Sequence, residues 1–274
     1  MDIKNAWLLP IKRYIKNLLT RLKIIDSRRK IRKFNKLLSI AEVNNKFPNR
    51  NLQYKYFHHF FWNLSPGWLK EHRHYFSQDM RGFGEDAFHA MWYFIFSEFH
   101  PKDVLEIGIY RGQTLSLFSL LGKNLGIETE VHGISPFTSS GDGVSNYLKK
   151  IDYYNDVITN VNRFNSPMPV LHKGFSTDEE MIKVIRSKFW DVIYIDGNHD
   201  YEVAKQDFDI CSQQLKKGGL IVLDDSSLYT DYIATVIYSS AGHPGPSRIA
   251  NEIDEAQFRE ILKVGHNRVF QKIN

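Results

Sequence analysis

The stretch DVLEIGIYRGQT, residues 103–114, constrains the fold of this chain more than any other part of it. Val104, Leu105, Ile107 and Ile109 form a short apolar run, interrupted by Glu106 and closed by Gly108 and Gly112. That pattern predicts a buried parallel strand entering a glycine turn. The following TLSLFSLLG places Leu115, Leu117, Phe118, Leu120 and Leu121 near helical spacing, with Gly122 available to end the helix. Strand, glycine turn and helix, in that order, build a nucleotide site at the carboxyl end of the first strand of an open α/β sheet. Glycines there let backbone approach a ligand, and the helix N-terminus presents unpaired amides. The spacing is Glu-x-Gly-x-x-x-Gly rather than Gly-x-Gly-x-x-Gly, and glycines in any strand-to-helix turn look similar, so the motif by itself does not fix the ligand.

Downstream the pattern alternates. EVHGIS (130–135), PVLHKG (169–174), WDVIYID (190–196) and GLIVLDD (219–225) read as further strands. The intervening 144–164, 178–188 and 201–215 read as helices. Five short apolar strands with helices between them predict a doubly wound, mostly parallel sheet. FREILKV (258–264) and HNRVFQKI (266–273) flank Gly265 and predict an antiparallel C-terminal hairpin. AGHPGPSR (241–248) marks a loop between helical pieces. Upstream, GEDAFHAMWYFIFSEF (84–99) predicts a helix packed on the sheet. Residues 44–66 read as irregular connection, and the aromatics from Tyr54 to Phe76 suit either core or the cover of a ligand pocket. The expected division is a basic helical arm (1–43), an aromatic-rich helical cap segment (44–100) and the sheet domain (101–274).

The charge is unevenly placed. Residues 11–36 hold eleven Lys and Arg against Asp26, which is 11 − 1 = +10; the whole chain carries +5, so the remainder sums to −5. An acidic body argues against a broad nucleic-acid groove. The arm, with Ile11, Ile15, Leu18, Leu19, Leu22 and Ile25 at helical spacing, suits an anionic membrane face, a second subunit of a homo-oligomer, or the body itself. A single cysteine, Cys211, excludes an intramolecular disulfide framework. With no long apolar span and no signal-peptide pattern, a cytoplasmic protein is expected, peripheral at the inner membrane face if the arm binds lipid.

Acidic and polar groups gather at the predicted strand ends: Glu106, Ser135, Asp196, Asp224 and Asp225, with His199 just beyond Asp196. Carboxylates on adjacent strand ends repel one another, and a hard cation such as Mg²⁺ relieves the repulsion with oxygen ligands. His199 then suits a base near neutral pH. Helix capping by Asp is the competing reading.

The segments VLEIGIYRGQT, IDGNHDYE and GGLIVLDD, with the terminal hairpin, resemble class I S-adenosylmethionine-dependent methyltransferases, and among them the Mg²⁺-dependent macrolide-sugar O-methyltransferases. The resemblance covers residues from about 100 to 273. It implies a Rossmann-like seven-stranded sheet with the last strand antiparallel. It implies that Glu106, Gly108, Tyr110, Gly112, Thr114, Ser135, Ser176 and Asp196 bind the cofactor S-adenosyl-L-methionine. It also implies that Asp196, Asp224 and Asp225 hold Mg²⁺, that His199 is the general base and that Asp196 shares in catalysis. The family has an acidic residue where Ser135 stands; Asp142 lies close in sequence. The implied activity is O-methylation of a hydroxyl on a small molecule, sugar or glycan, with no nucleic acid as partner. Three other readings compete. A nicotinamide-dependent dehydrogenase lacks its glycine fingerprint here. An inactive methyltransferase-fold binding protein is favoured by Ser135 and opposed by the intact Asp/His set. An RNA methyltransferase recruited by the arm is opposed by the acidic body.

Overall fold

A computed structural model describes residues 31–139, 141, 147–234 and 239–274. Residues 6–30 of the arm, and Asp142, lie outside the described residues. Seven strands form one sheet in the order β3-β2-β1-β4-β5-β7-β6. They are β1 (Asp103–Ile107), β2 (Glu130–Ser135), β3 (Val170–Lys173), β4 (Trp190–Ile195), β5 (Leu215–Leu223), β6 (Phe258–Val264) and β7 (Asn267–Lys272). β1 to β5 run parallel. β7 inserts antiparallel between β5 and β6, as the hairpin pattern predicts. The order reverses direction between β1 and β4, which opens a crevice at their carboxyl ends.

Side chains alternate between the two faces of the sheet, as a pleated strand requires. Val192, Tyr194, Leu220 and Val222 face one core; Ile193, Ile195, Ile221 and Leu223 face the other. The first core is covered by α1 (Ile40–Lys46), α2 (Arg50–Asn63), α3 (Gly67–Phe76), α4 (Asp86–Phe99), α5 (Gln113–Leu125) and α6 (Tyr153–Asn162). The second lies under α7 (Glu179–Arg186), α8 (Tyr201–Gln213) and α9 (Pro244–Glu252).

Several boundaries differ from the sequence expectation, each for a local reason. The α5 helix runs through Gly122 and stops at Gly126, which takes the left-handed conformation (φ 68°) that closes a helix without a Cβ penalty. The helix expected over 144–164 is described only from Tyr153, where the Asp152 side chain accepts from the Asn155 amide and sets the start. Residues 44–66 are not irregular: Ser39 and Glu42 form a reciprocal capping box for α1, and Asn49 caps α2. Asn49, which reads as a loop former, is therefore a helix start, and Asn44 and Asn45 lie within α1. Tyr56, Phe57, Phe60 and Phe61 on α2 are buried, so most of the aromatic patch is core shared with the sheet. Ile31, Leu38 and Ile40 are buried in the same core, so the C-terminal end of the basic arm belongs to the body. Among the described residues, no helix is long and apolar enough to cross a membrane.

Candidate active site

The glycine turn after β1 is held by packing on every side. Gly108 has φ 93°, and a Cβ there would lie 1.9 Å from the Asp196 carbonyl oxygen. The Gly112 position (φ 80°) faces the Val157 methyls at 3.0 Å. Between them Arg111 reaches Asp156 with Nε at 2.6 Å and the Asp79 carbonyl with Nη1 at 2.6 Å, which fixes the 77–85 segment beside the turn. The Asn160 amide donates to the Arg111 carbonyl at 2.9 Å. Both glycines thus answer to the closeness of neighbouring backbone and side chains, a requirement that motif reading assigns to the ligand.

Glu106 is 3% exposed, and its Oε2 is buried without a hydrogen-bond partner. Burial, together with the charge on Asp224, pushes its pKa well up. Tyr110 packs its ring against Phe83, Tyr147 and Tyr153, and its buried hydroxyl has no partner either; burial pushes its pKa up to about 12. Thr114 is half-buried in the first turn of α5. Ser135 is buried, and its hydroxyl donates to the Ile109 carbonyl at 3.1 Å and accepts from the Phe137 amide at 3.4 Å. That hydroxyl joins the turns after β1 and β2, so its proton is committed inside the protein. Ser176 lies half-buried in the turn after β3.

The acidic groups stand one strand further. Asp196 follows β4, and Asp224 and Asp225 follow β5. Asp196 is pushed well up by burial and by Asp224, to which it is hydrogen-bonded. Burial pushes Asp224 up too, but the imidazolium of His266 outweighs it and holds Asp224 low. His266 Nε2 lies 3.3 Å from Asp224 Oδ1, and the Asn267 amide donates to that oxygen at 2.7 Å. Against its own burial, His266 is raised to about 10 by Asp224. Asp225 has a positive φ (47°), which a side-chain-bearing residue adopts only when its surroundings hold it there. Here the surroundings are the Gly242 turn and the start of α9, which occupies 244–248 where the sequence reads as loop: Asp225 O accepts from the His243 amide at 2.8 Å and the Ser247 hydroxyl at 3.2 Å. A Cβ on Gly242 would lie 2.0 Å from that oxygen. The strained turn aims Asp225 Oδ2 at His199 Nε2, 3.0 Å away, with His243 Nε2 at 3.8 Å.

The predicted acids therefore gather as two linked groups. Asp224, Asp225 and His266 bring ligand atoms within 4.8 Å of one another, and so do His199, Asp225 and His243. Asp196 joins through Asp224. Sequence reading missed His243 and His266. His266 sits in the hairpin turn, where it reads as a strand residue, and His243 sits in the Pro/Gly loop. Only the folded topology carries them to the β5 end.

A family model described as a methyltransferase domain matches residues 105–226. The uncharacterized protein R132 of Acanthamoeba polyphaga mimivirus is 34% identical over 131 residues, 47% of this chain. The chain spans about half the length of that relative, 52%. Among solved structures, an O-methyltransferase from Bacillus cereus in complex with S-adenosylhomocysteine aligns over 79% of this chain and 96% of its own, at 14% identity and a TM-score of 0.54. The O-methyltransferase TomG of Streptomyces achromogenes, involved in tomaymycin synthesis and solved with S-adenosylmethionine, aligns over 82% of this chain and 99% of its own, at 11% identity and a TM-score of 0.52. At these identities the structural likeness is one of fold. Residues 105–226 thus match a methyltransferase domain model, and the chain shares the Rossmann-like fold of these solved methyltransferases.

Proposed function

We propose that this chain transfers a methyl group from S-adenosylmethionine to a hydroxyl of a small molecule, sugar or glycan, with Mg²⁺ at the acidic strand ends. The observation that carries the reading is the contiguity of two incomplete sites. Glu106, buried at the glycine turn with an unpaired oxygen, lies within the field of Asp224 at the metal end. A cationic ligand group at the turn supplies the missing partner of Glu106, and the ammonium of the cofactor's methionine has that chemistry.

The acids also fit a divalent cation. Asp196 and Asp224 are buried side by side and are compatible only because one is held in its protonated form. Oxygen donors under mutual repulsion are what a hard cation prefers. Asp196, Asp224 and Asp225 would hold it, and when bound it supplies positive charge that makes an acceptor hydroxyl more acidic. Bound S-adenosylmethionine supplies an electrophilic methyl group.

The protein's own part is positional. Asp225 bonds the His199 imidazole at Nε2 and fixes the ring, and His199 takes the acceptor's proton. The Asp–His pair has the logic of a base oriented by a third group. Calorimetry with S-adenosylhomocysteine, with and without Mg²⁺, tests the two sites separately. Failure of the full chain to bind S-adenosylhomocysteine would end the reading; binding with no methyl transfer to any polyol or phenol would leave a binding protein.

A further inference from the structure

Asp225 Oδ2 faces two imidazoles, His199 Nε2 at 3.0 Å and His243 Nε2 at 3.8 Å. The three donor atoms lie within 4.8 Å of one another. The proposed function uses His199 and Asp225 and gives His243 no part. Helix capping does not account for His243 either: it stands at the N-cap of α9, and its side chain makes no capping bond.

Backbone contacts hold the three side chains together. A Cβ on Gly245 would lie 2.2 Å from the His199 carbonyl oxygen, so the start of α9 packs directly on the loop after β4. An antiparallel bridge between Ser226 and Gly242 ties the segment before α9 to the residue after Asp225. The ligand-bearing positions 199, 225 and 243 therefore come from three separate segments in fixed register. Their side chains are 15%, 17% and 34% exposed, which leaves the cluster open to water on the His243 side.

The donor set differs from that of the three carboxylates. Mg²⁺ prefers oxygen, whereas two imidazoles and one carboxylate suit Zn²⁺ and its transition-metal neighbours. Donors about 2.0–2.1 Å from a tetrahedral Zn²⁺ stand about 3.3 Å from one another. The separations of 3.0 and 3.8 Å bracket that edge, so small side-chain rotations complete the site. The other histidine of the acidic end is spoken for. His266 has Nε2 at 3.3 Å from Asp224 Oδ1 and Nδ1 at 3.2 Å from the Ser240 carbonyl oxygen, so both ring nitrogens face acceptors and neither offers a lone pair.

We propose that His199, Asp225 and His243 form a second cation site, for a borderline transition ion such as Zn²⁺, and that filling it silences the base. His199, ligating through Nε2, keeps its proton on Nδ1 and has no nitrogen left to accept another. The silencing rests on the methyl-transfer reading proposed above; the site itself does not.

The test is calorimetric titration of the untagged, metal-stripped full chain with Zn²⁺, together with electron paramagnetic resonance of bound Cu²⁺, which counts ligand nitrogens. In the wild type Zn²⁺ binds and Cu²⁺ couples to two imidazole nitrogens. His243→Ala lowers Zn²⁺ affinity by more than about a hundredfold, since loss of even a ligand's hydrogen-bond partner costs about ten- to a hundredfold. It also leaves one coupled nitrogen, with the melting temperature unchanged. A wild type with a single coupled nitrogen overturns the site, because it places the ion elsewhere. Equal Zn²⁺ affinity in wild type and His243→Ala overturns it too. If the alanine variant does not fold, His243→Gln with wild-type affinity and two coupled nitrogens does the same. Zn²⁺ lowers methyl transfer in step with occupancy, and His243→Ala needs more than about a hundredfold more Zn²⁺ for the same loss. A zinc-filled chain with full methyl transfer overturns the silencing. A zinc-free chain that neither binds S-adenosylhomocysteine nor transfers methyl groups removes the methyl-transfer reading, and two coupled nitrogens still support the site.

Discussion

Gly108→Ala separates two accounts of the glycine turn. If Gly108 is present to admit a ligand, alanine should weaken cofactor binding and leave the fold intact. The geometry predicts the reverse emphasis. An alanine Cβ would stand 1.9 Å from the Asp196 carbonyl oxygen, 2.4 Å from its carbon and 2.6 Å from Gly197 Cα. All three are backbone atoms, so no rotamer change relieves the contact. Reaching an ordinary separation of 3.4 Å needs 3.4 − 1.9, about 1.5 Å, of movement between the ends of β1 and β4. That movement strains the Asp196 N–H bond to Ile107 O at 2.8 Å and the Gly108 N–H bond to Ile134 O at 3.0 Å. The positive φ adds roughly 1–2 kcal/mol for an L-residue. Overpacking adds about 1–3 kcal/mol, and a weakened ladder bond about 1 kcal/mol. The total, about 3–6 kcal/mol, is a large fraction of the roughly 5–15 kcal/mol that holds a native domain together. Thermal and urea unfolding followed by tryptophan fluorescence should show a fall in melting temperature on the order of 10 °C. Gly126→Ala is the control: φ is 68° but nothing lies within 4 Å, so only the backbone contribution of about 1–2 kcal/mol applies. Wild-type stability in Gly108→Ala would refute the packing account and return the glycine to the ligand.

Asp224→Ala should cut methyl transfer sharply and abolish its Mg²⁺ dependence while S-adenosylhomocysteine still binds, and EDTA should mimic it in the wild type; full activity in excess EDTA would refute the metal. His199→Ala should lose about a hundredfold or more in rate with metal binding intact, and its pH–rate profile should lose the imidazole limb. Stability should fall with acid because of the buried pair His72 Nδ1···His89 Nε2, 3.1 Å apart. Burial lowers His72 to about 3 and pushes His89 well down, so between that range and about 6.5 the unfolded chain binds more protons. The stability is whole above about pH 6.5 and declines below it, by about 2 kcal/mol per imidazole at pH 5; a melting temperature flat from pH 7 to 5 would contradict this. Deleting residues 1–40 removes buried Ile31, Leu38 and Ile40 and should lower both yield and melting temperature; an unchanged melting temperature would show that this stretch is not part of the core.

Strands were the legible part of this fold. Val104, Leu105 and Ile107, Val192 to Ile195, and Leu220 to Leu223 are buried on both faces, so apolar runs mark them without reference to partners. Helix starts were less legible, because Asn49 and Ser39 serve equally well in loops and as caps, and only the bonds to Leu52 N and Glu42 N decide. Of the site, Glu106, Asp196, Asp224, Asp225 and His199 stand where parallel strands end, a position that the sequence pattern implies. Ser135 reads, through the resemblance, as a cofactor ligand, yet its hydroxyl is bound to Ile109 O, a partner no local pattern announces. His266 and His243 are beyond sequence reading for a stronger reason: they reach the acids through the β6–β7 reversal and the Gly242 turn, both long-range consequences of the sheet order.

The cap helices complete the acidic end as well as covering the sheet. Phe88 of α4 packs on the His266 ring with centroids 4.6 Å apart, and a Cβ on Gly265 would meet Phe88 Cε1 at 2.8 Å. The imidazole that holds Asp224 ionised is thus wedged between the hairpin turn and α4. Glu85, at the start of α4, hydrogen-bonds the Tyr54 hydroxyl of α2, and its charge adds to the rise in the His266 pKa. On the other side, His72 of α3 and His89 of α4 run to Ser116 in α5, joining the cap to the helix that follows the glycine turn. Both halves of the candidate site, the turn and the acids, therefore rest on α4. A lid that opens for ligand entry would have to break this buried polar chain and expose Phe88, Met91 and Trp92, all nearly inaccessible to water. The segment is therefore the back wall of the candidate site, and the exposed aromatics near it are Phe83 and Tyr229, 65% and 57% exposed, in the loops beside the glycine turn and after Asp225.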